Sequence, residues 1–167
     1  MILFLDIDGV LNSVESIERA RREGRDDDFL LAGARFPGAG LPDPKCVANL
    51  NTILEHLTEN CEIVLISDWR CLYTLEQINA LFEYVGIGRK VSWMAPTGSK
   101  AEVLGSILSE HDHELGYIIL DNEGLGVECQ IKTDERFGLS EGDAHAAIRI
   151  AMRSGCGELP YAKGNSL

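Results

Sequence analysis

Three short apolar runs along the chain each end at a polar residue that carries a side-chain oxygen. They are residues 2–5 before Asp6, 63–66 before Ser67 and 117–120 before Asp121. Near-continuous apolar strands are typical of a parallel sheet covered on both faces, since both sides of each strand are then buried. Ligands of such sheets bind at the carboxyl ends of the strands, which lie at one edge. The pattern alone therefore predicts that these three polar residues lie together at one edge of a sheet.

Amphipathic segments separate the apolar runs and predict helices. Asp43-Pro44 has the pattern of a helix start, and Thr74 with Gln77 forms a capping box before a helix that stops at Gly86. The remaining predicted elements are helices at 100–110 and from 140 to about 153, and short strands at 90–94 and 127–132. This alternation predicts an α/β fold in which helices cover both faces of a central, mostly parallel sheet.

Length and composition indicate one globular domain. The chain has 167 residues, of which 45% are hydrophobic, and this is enough to bury a substantial core. We expect residues 1–155 to form the domain and residues 156–167 to form a loosely ordered tail. Residues 12–43 are poorly patterned and longer than a routine connection, so we expect them to form a flap or minimal cap.

Two carboxylates stand two positions apart where the first apolar run enters a glycine turn. Asp6 and Asp8 point to the same side of an extended chain. In native proteins such a pair usually binds a divalent cation, shares a proton, or divides the roles of nucleophile and acid/base. The alternative that these residues leave open is a solvated turn after a buried strand, which needs no function. A calcium loop is excluded, because Val10 and Ile17 occupy positions where it would need oxygen ligands.

The polar residues after the runs resemble the four motifs of one family. The segment Phe-Leu-Asp-Ile-Asp-Gly-Val resembles the first motif of the haloacid dehalogenase (HAD) superfamily, which contains Mg²⁺-dependent phosphohydrolases that work through an aspartyl-phosphate. Ser67 and the following Asp-Trp-Arg resemble the second motif, Lys100 matches the lysine of the third, and Asp121-Asn122-Glu123 resembles the acidic fourth. The resemblance covers almost the whole chain and implies a three-layer, Rossmann-like HAD fold with a minimal cap.

The resemblance assigns a catalytic role to four residues. It implies that Asp6 attacks phosphorus and that Asp8 protonates the leaving oxygen and then activates water. It further implies that Ser67 and Lys100 bind the transferring phosphate. Ser67 as a simple turn cap and Lys100 as an exposed helix-end lysine are the alternatives that the sequence leaves open.

The resemblance also implies a magnesium site. Its ligands would be the Asp6 carboxylate, the Asp8 backbone carbonyl and Asp121, with Glu123 acting through water. The family commonly has two consecutive acids in the fourth motif, whereas this chain has Asn122 in the second place. Either Glu123 replaces that acid from the neighbouring position, or the site binds metal more weakly.

The segments Ile-Ser-Asp-Trp-Arg, Ile-Leu-Asp-Asn-Glu and Lys-Thr-Asp are similar to those of a small HAD branch predicted to act in nucleic-acid end repair. The short insert favours a polymeric or extended substrate, since large caps usually close over small metabolites. We therefore predict a phosphatase acting on a nucleotide or a nucleic-acid end. The alternatives are a phosphotransferase or mutase on the same intermediate, and a non-catalytic phospho-acceptor or metal-binding module.

Charge and cysteine content limit the partners and the compartment. The net charge of −12 argues against a broad nucleic-acid-binding surface. Arg19, Arg21, Arg22 and Arg25 form a local basic cluster, which is either a solvated helix face or a set of arginines above the active site. Five scattered cysteines without a Cys-x-x-Cys spacing fit a reducing cytoplasm, and neither a membrane span nor an export signal is expected.

Overall fold

A computed structural model describes residues 1–110 and 116–153. Within these residues, helices α1 to α5 span Val14–Arg22, Pro44–His56, Leu75–Val85, Lys100–Glu110 and Glu141–Arg153. Strands β1 to β7 span Ile2–Leu5, Phe29–Leu31, Ala34–Phe36, Glu62–Leu65, Trp93–Met94, Tyr117–Asp121 and Gln130–Lys132. Short 3₁₀ helices lie at Gly38–Gly40 and Asp68–Cys71. No described helix has the length and apolar character needed to cross a membrane.

The main sheet has the strand order β5-β4-β1-β6-β7, and every adjacent pair is parallel. This confirms the α/β fold predicted from the alternating elements. Strand β1 lies at the centre, where Leu5 pairs with Leu65 of β4 on one side and with Leu120 of β6 on the other. Because the three strands run in the same direction and in register, the residues that follow them emerge at the same edge of the sheet.

Successive side chains of the central strands point to opposite faces, and each face has its own core. The first core joins Leu3 and Leu5 to the buried sides of α2, α3 and α5. The second core joins Ile2 and Phe4 to α4, mainly through Leu104. The sheet is therefore the middle layer of a three-layer arrangement.

The insert predicted as a flap or minimal cap contains α1 and an antiparallel hairpin of β2 and β3. Ala32 and Gly33 form the hairpin turn, and both have positive φ, 49° and 75°. Two positive φ values in a two-residue loop match the twist of a hairpin. Phe36 of β3 is fully buried, so the hairpin is packed onto the domain through its own aromatic side chain.

The two outer strands are shorter than the sequence predicts. Strand β5 covers Trp93–Met94 instead of 90–94, and β7 covers Gln130–Lys132 instead of 127–132. Pairing starts only at Trp93, opposite Val64, and at Gln130, opposite Ile119. Cys129 has a left-handed φ of 60°, which interrupts the extended backbone just before β7. The helix boundaries, in contrast, agree closely with the predicted capping residues. Asp43 and Thr74 cap the starts of α2 and α3, and Gly86, in the left-handed conformation, ends α3. The predicted tail at 156–167 lies outside the described residues.

Candidate active site

Asp6, Ser67 and Asp121 lie at the carboxyl edge of the sheet, at the ends of β1, β4 and β6. All three are buried, with exposed fractions of 3%, 0% and 0%. Buried carboxylates and hydroxyls are uncommon unless they are paired or functional. The edge predicted from the three apolar runs is therefore present in the structure.

Lys100 reaches this edge from the first position of α4. Its Nζ donates a hydrogen bond of 2.6 Å to Asp6 Oδ2 and lies 3.0 Å from Asp121 Oδ2. Glu123 Oε1 is farther away, at 3.8 Å, and the Glu123 side chain is 63% exposed. A lysine at a helix N-terminus is disfavoured by the helix dipole, so its position here depends on these carboxylates. One ammonium group thus joins the ends of β1 and β6.

The ionisation of these groups reflects their mutual contacts. Burial lowers the pKa of Lys100, but the hydrogen bond and charge of Asp6, together with Asp121, outweigh this and raise it. Burial and then the negative charge of Asp6 raise the pKa of Asp121, against the opposing effects of the Glu123 N–H and Lys100. Two buried carboxylates share one ammonium, so the site has a surplus of negative charge that a cation would balance.

The two oxygens of Asp121 differ in their contacts. Oδ1 accepts the Glu123 N–H at 2.8 Å, whereas the buried Oδ2 has, among the described residues, the Lys100 ammonium at 3.0 Å and no further hydrogen-bond donor. Such an oxygen beside a second carboxylate fits a hard divalent cation. Among the described residues, no three His, Cys, Asp or Glu side chains are grouped closely enough to hold a metal ion. A Mg²⁺ ion here would therefore take few side-chain ligands and rely on backbone oxygen and water, as Mg²⁺ commonly does.

Asp8 has different partners from Asp6. Its Oδ1 accepts a hydrogen bond of 2.8 Å from Asn12 Nδ2, and its Oδ2 accepts one of 2.9 Å from the Trp69 indole N–H. Asp8 is exposed, whereas Asp6 is buried. The two acids of the first motif therefore occupy distinct environments, as a division of roles between them requires.

The glycine turn between these acids and α1 is held from several directions. Asn12 Oδ1 accepts the Gly9 N–H at 3.1 Å, and Thr133 Oγ1 donates to the Gly9 carbonyl at 2.7 Å. Gly9 has a φ of +74°, and a Cβ built on it would lie 2.7 Å from Asn122 Cγ. The side chain of Asn122, in the second place of the fourth motif, thus packs directly against the turn of the first motif.

We expect Gly9→Ala to lower the free energy of unfolding by about 3 kcal/mol, combining positive-φ strain with the collision against Asn122. Gly24→Ala is the matched control, because Gly24 also has positive φ, +65°, but has no neighbour within 4 Å of its built Cβ. Its expected cost is about 1 kcal/mol. Urea unfolding of both variants measures the difference, and equal losses would contradict the importance of the Asn122 contact.

Ser67 and Arg70 organise the neighbouring loop. Ser67 precedes the 3₁₀ helix Asp68–Cys71, and its Oγ accepts a long, 3.5 Å hydrogen bond from the Trp69 N–H. The buried Arg70 donates to the carbonyls of Ile66, Pro96 and Gly98. Arg70 therefore ties the end of β4 to the loop before Lys100. Arg70 also forms an ion pair with the exposed Asp68 at 3.3 Å. The wider role of Arg70 has no signal in the local sequence.

The basic cluster of the insert matches the solvated-face interpretation. Arg19 forms an ion pair with Asp43, and Arg25 forms one with Glu23. Arg21 and Arg22 are exposed. The ion pair of Arg19 with Asp43 connects α1 to the start of α2, and the hydrogen bond and charge of Asp43 raise the pKa of Arg19.

The α/β fold and this arrangement of side chains match one class of protein, the HAD superfamily. A family model described as the HAD domain in Swiss Army Knife RNA repair proteins matches residues 2–144. The chain belongs to this family, which confirms the resemblance seen in the four motifs. Family membership indicates a phosphatase or related hydrolase. Comparisons with the curated proteins and with the solved structures found no significant match.

Proposed function

We propose that this protein is a Mg²⁺-dependent phosphatase that hydrolyses a phosphate monoester through a phosphate carried by Asp6, and that its substrate is a phosphorylated RNA end. The observation that supports this proposal most directly is the contact of Lys100 with both Asp6 and Asp121 at the carboxyl edge of the sheet. This contact places a buried carboxylate beside a fixed positive charge, which is the combination that nucleophilic attack on a phosphate dianion requires.

Asp6 is oriented as a nucleophile. Its Oδ1 accepts the N–H of Ile7 at 2.8 Å, and its Oδ2 accepts Lys100 at 2.6 Å. Each carboxylate oxygen has two lone pairs, so a lone pair remains for attack on phosphorus. A bond forms between a carboxylate oxygen and phosphorus while the bond to the leaving oxygen breaks. Water then releases inorganic phosphate and restores the carboxylate, which divides one difficult displacement into two easier ones.

Charge neutralisation is the main task of the surrounding groups. Lys100 donates a hydrogen bond to Asp6, and its ammonium would also contact the oxygens of a phosphate bound beside Asp6. The Ser67 hydroxyl, at the end of the adjacent strand β4, would donate to another phosphoryl oxygen. When bound, Mg²⁺ would supply further positive charge, held by Asp6, Asp121 and the Asp8 carbonyl, with Glu123 contributing through water.

Proton transfer is assigned to Asp8. It is two residues from the buried Asp6 and is exposed, so solvent and a leaving group can reach its carboxylate. Asp8 would give a proton to the leaving oxygen in the first step and take one from the attacking water in the second. The exposed Glu123 on the same edge supports a site that is open to solvent.

The insert and the family together support an RNA end as the substrate. The matching family is described from RNA repair proteins. The β2–β3 hairpin is anchored by the buried Phe36, which favours a fixed wall over a lid that closes around a small metabolite. The net charge of −12 also favours recognition of a phosphorylated end over a grip along a polyanion.

The proposal predicts Mg²⁺-dependent phosphate release from RNA oligonucleotides phosphorylated at the 3′ or 5′ end. We expect kcat/KM for the preferred RNA end to exceed that for p-nitrophenyl phosphate by about tenfold or more, since binding energy from the rest of the substrate contributes to catalysis. The assay compares both RNA ends, the corresponding DNA and p-nitrophenyl phosphate, each with Mg²⁺ and with chelator.

Three results would redirect the proposal. Phosphate release from p-nitrophenyl phosphate without any preference for RNA would refute the substrate and keep the chemistry. Labelling of one phosphate per chain without turnover would indicate a phospho-acceptor module. Transfer of the phosphate to an added alcohol in preference to water would indicate a phosphotransferase.

A further inference from the structure

Both oxygens of the Asp8 carboxylate are held by side-chain N–H groups. Trp69 Nε1 lies 2.9 Å from Oδ2, and Asn12 Nδ2 lies 2.8 Å from Oδ1. Asp8 is exposed, so without these donors its short side chain would sample several rotamers in solvent. The two N–H groups select one orientation. Each oxygen keeps a second lone pair on which a proton can arrive or depart.

Trp69 is itself rigidly placed. The residue belongs to the 3₁₀ helix Asp68–Cys71 that follows β4, and it is only 6% exposed. The ring centroid is 6.1 Å from that of Phe36 and 5.3 Å from that of Tyr73, while Phe36 and Tyr73 stack on each other at 4.4 Å. Packing of this kind fixes the ring and aims its N–H.

We propose that Trp69 is a positioning residue for Asp8: its indole N–H fixes the carboxylate in the orientation from which a proton reaches the leaving oxygen. The inference rests on the proposed phosphatase function. In the step concerned, the Asp6 carboxylate forms a bond to phosphorus, the bond between phosphorus and the leaving oxygen breaks, and the Asp8 proton moves to that oxygen. In this role Trp69 acts through the Asp8 carboxylate and takes no direct part in the bond changes.

This role has a chemical signature that a purely structural role lacks. A poor leaving group needs its proton during the departure, whereas a good one such as p-nitrophenolate departs without it. Loss of the indole N–H should therefore slow hydrolysis of phenyl phosphate much more than hydrolysis of p-nitrophenyl phosphate. General structural damage would slow both substrates by the same factor. The two substrates are nearly the same size, so binding differences are kept small.

The test is Trp69→Phe, which keeps an aromatic ring and removes the N–H. We expect kcat/KM, which reports the step in which the leaving group departs, to fall by about tenfold more for phenyl phosphate than for p-nitrophenyl phosphate. Trp93→Phe, on the outer strand β5, is the matched control, because Trp93 also donates its indole N–H to a carboxylate, that of Glu62 at 3.3 Å. The control should leave the ratio of the two kcat/KM values unchanged.

A second measurement does not depend on the stability of the Trp69 variant. The chain has two tryptophans, and Trp93→Phe identifies the indole N–H resonance of Trp69 in the proton–nitrogen NMR spectrum. We expect Asp8→Ala to shift this resonance and to leave that of Trp93 in place. A Trp69 resonance unmoved by Asp8→Ala would overturn the inference.

The kinetic outcomes separate the inference from the function on which it rests. Equal losses on both substrates in Trp69→Phe would overturn the inference alone, with phosphatase activity of the unaltered protein intact. No turnover of these two substrates or of phosphorylated RNA by the unaltered protein in Mg²⁺ would overturn the proposed phosphatase function and this inference with it. A selective loss on phenyl phosphate supports both.

Discussion

Asp6→Asn is expected to lower phosphate release by a factor on the order of 10³ or more, because an amide is a poor nucleophile and no covalent phosphate forms on it. The substitution conserves volume, and the Asn oxygen can still accept the Ile7 N–H that now bonds to Oδ1. The fold should therefore be retained. The measurement is steady-state release from p-nitrophenyl phosphate in Mg²⁺, together with a thermal unfolding curve.

Asp68→Asn is the matched control for this loss. Asp68 follows the neighbouring strand β4 but is 84% exposed, and its contact is an ion pair with Arg70. The control removes the same charge near the same edge without touching Asp6. Unchanged turnover in Asp6→Asn, or equal losses in the two variants, would refute Asp6 as the nucleophile.

Lys100→Met should cost the metal-free protein about 3 kcal/mol of unfolding free energy, since it leaves two buried carboxylates without their cation. The Lys100 side chain is only 11% exposed, so solvent screens these ion pairs weakly. We further expect Mg²⁺ to stabilise the variant more than the unaltered protein, because a divalent cation would replace the lost positive charge between Asp6 and Asp121. Urea unfolding with chelator and with Mg²⁺ measures both effects.

Lys45→Met provides the comparison for Lys100. Lys45 also lies in the first turn of a helix, α2, but it is exposed. Its replacement should change stability by less than about 0.5 kcal/mol and should not alter the response to Mg²⁺. If Mg²⁺ stabilised the unaltered protein and Lys100→Met by the same amount, the carboxylates of this edge would not form the cation site.

The strands that carry the site were predictable because burial of both sheet faces leaves a direct mark on the sequence. The ends of β1, β4 and β6 place Asp6, Ser67 and Asp121 where the apolar runs stop. The starts of α2 and α3 were equally predictable, since Asp43 and Thr74 accept hydrogen bonds from backbone N–H groups two and three residues further along the chain. Both features depend on residues that are close to one another in the sequence, so the sequence is enough to predict them.

The β2–β3 hairpin of the insert was not predicted from the sequence. Its loop is Ala32-Gly33, whereas Asn-Gly or Asp-Gly is the strong signal for such a turn. The run from Phe29 to Phe36 still shows an apolar Phe-Leu-Leu and an alternating Ala-Arg-Phe separated by two residues, and this was the available signal. Burial of Phe36 against Trp69 and Tyr73, rather than turn chemistry, accounts for the position of the hairpin.

Outside the insert, the sequence is enough to predict the alternation of strands and helices, the edge at which the polar residues lie, and the acids of the first and fourth motifs. Which groups touch across that edge follows from the packing of the folded chain: Lys100 with Asp6 and Asp121, Trp69 with Asp8, and Asn122 with Gly9. The reason is physical. Periodicity and capping report interactions along one element, whereas these contacts join residues of different elements, 61 positions apart for Trp69 with Asp8 and 94 for Lys100 with Asp6. Their geometry is set by how the layers pack, and no local pattern records it.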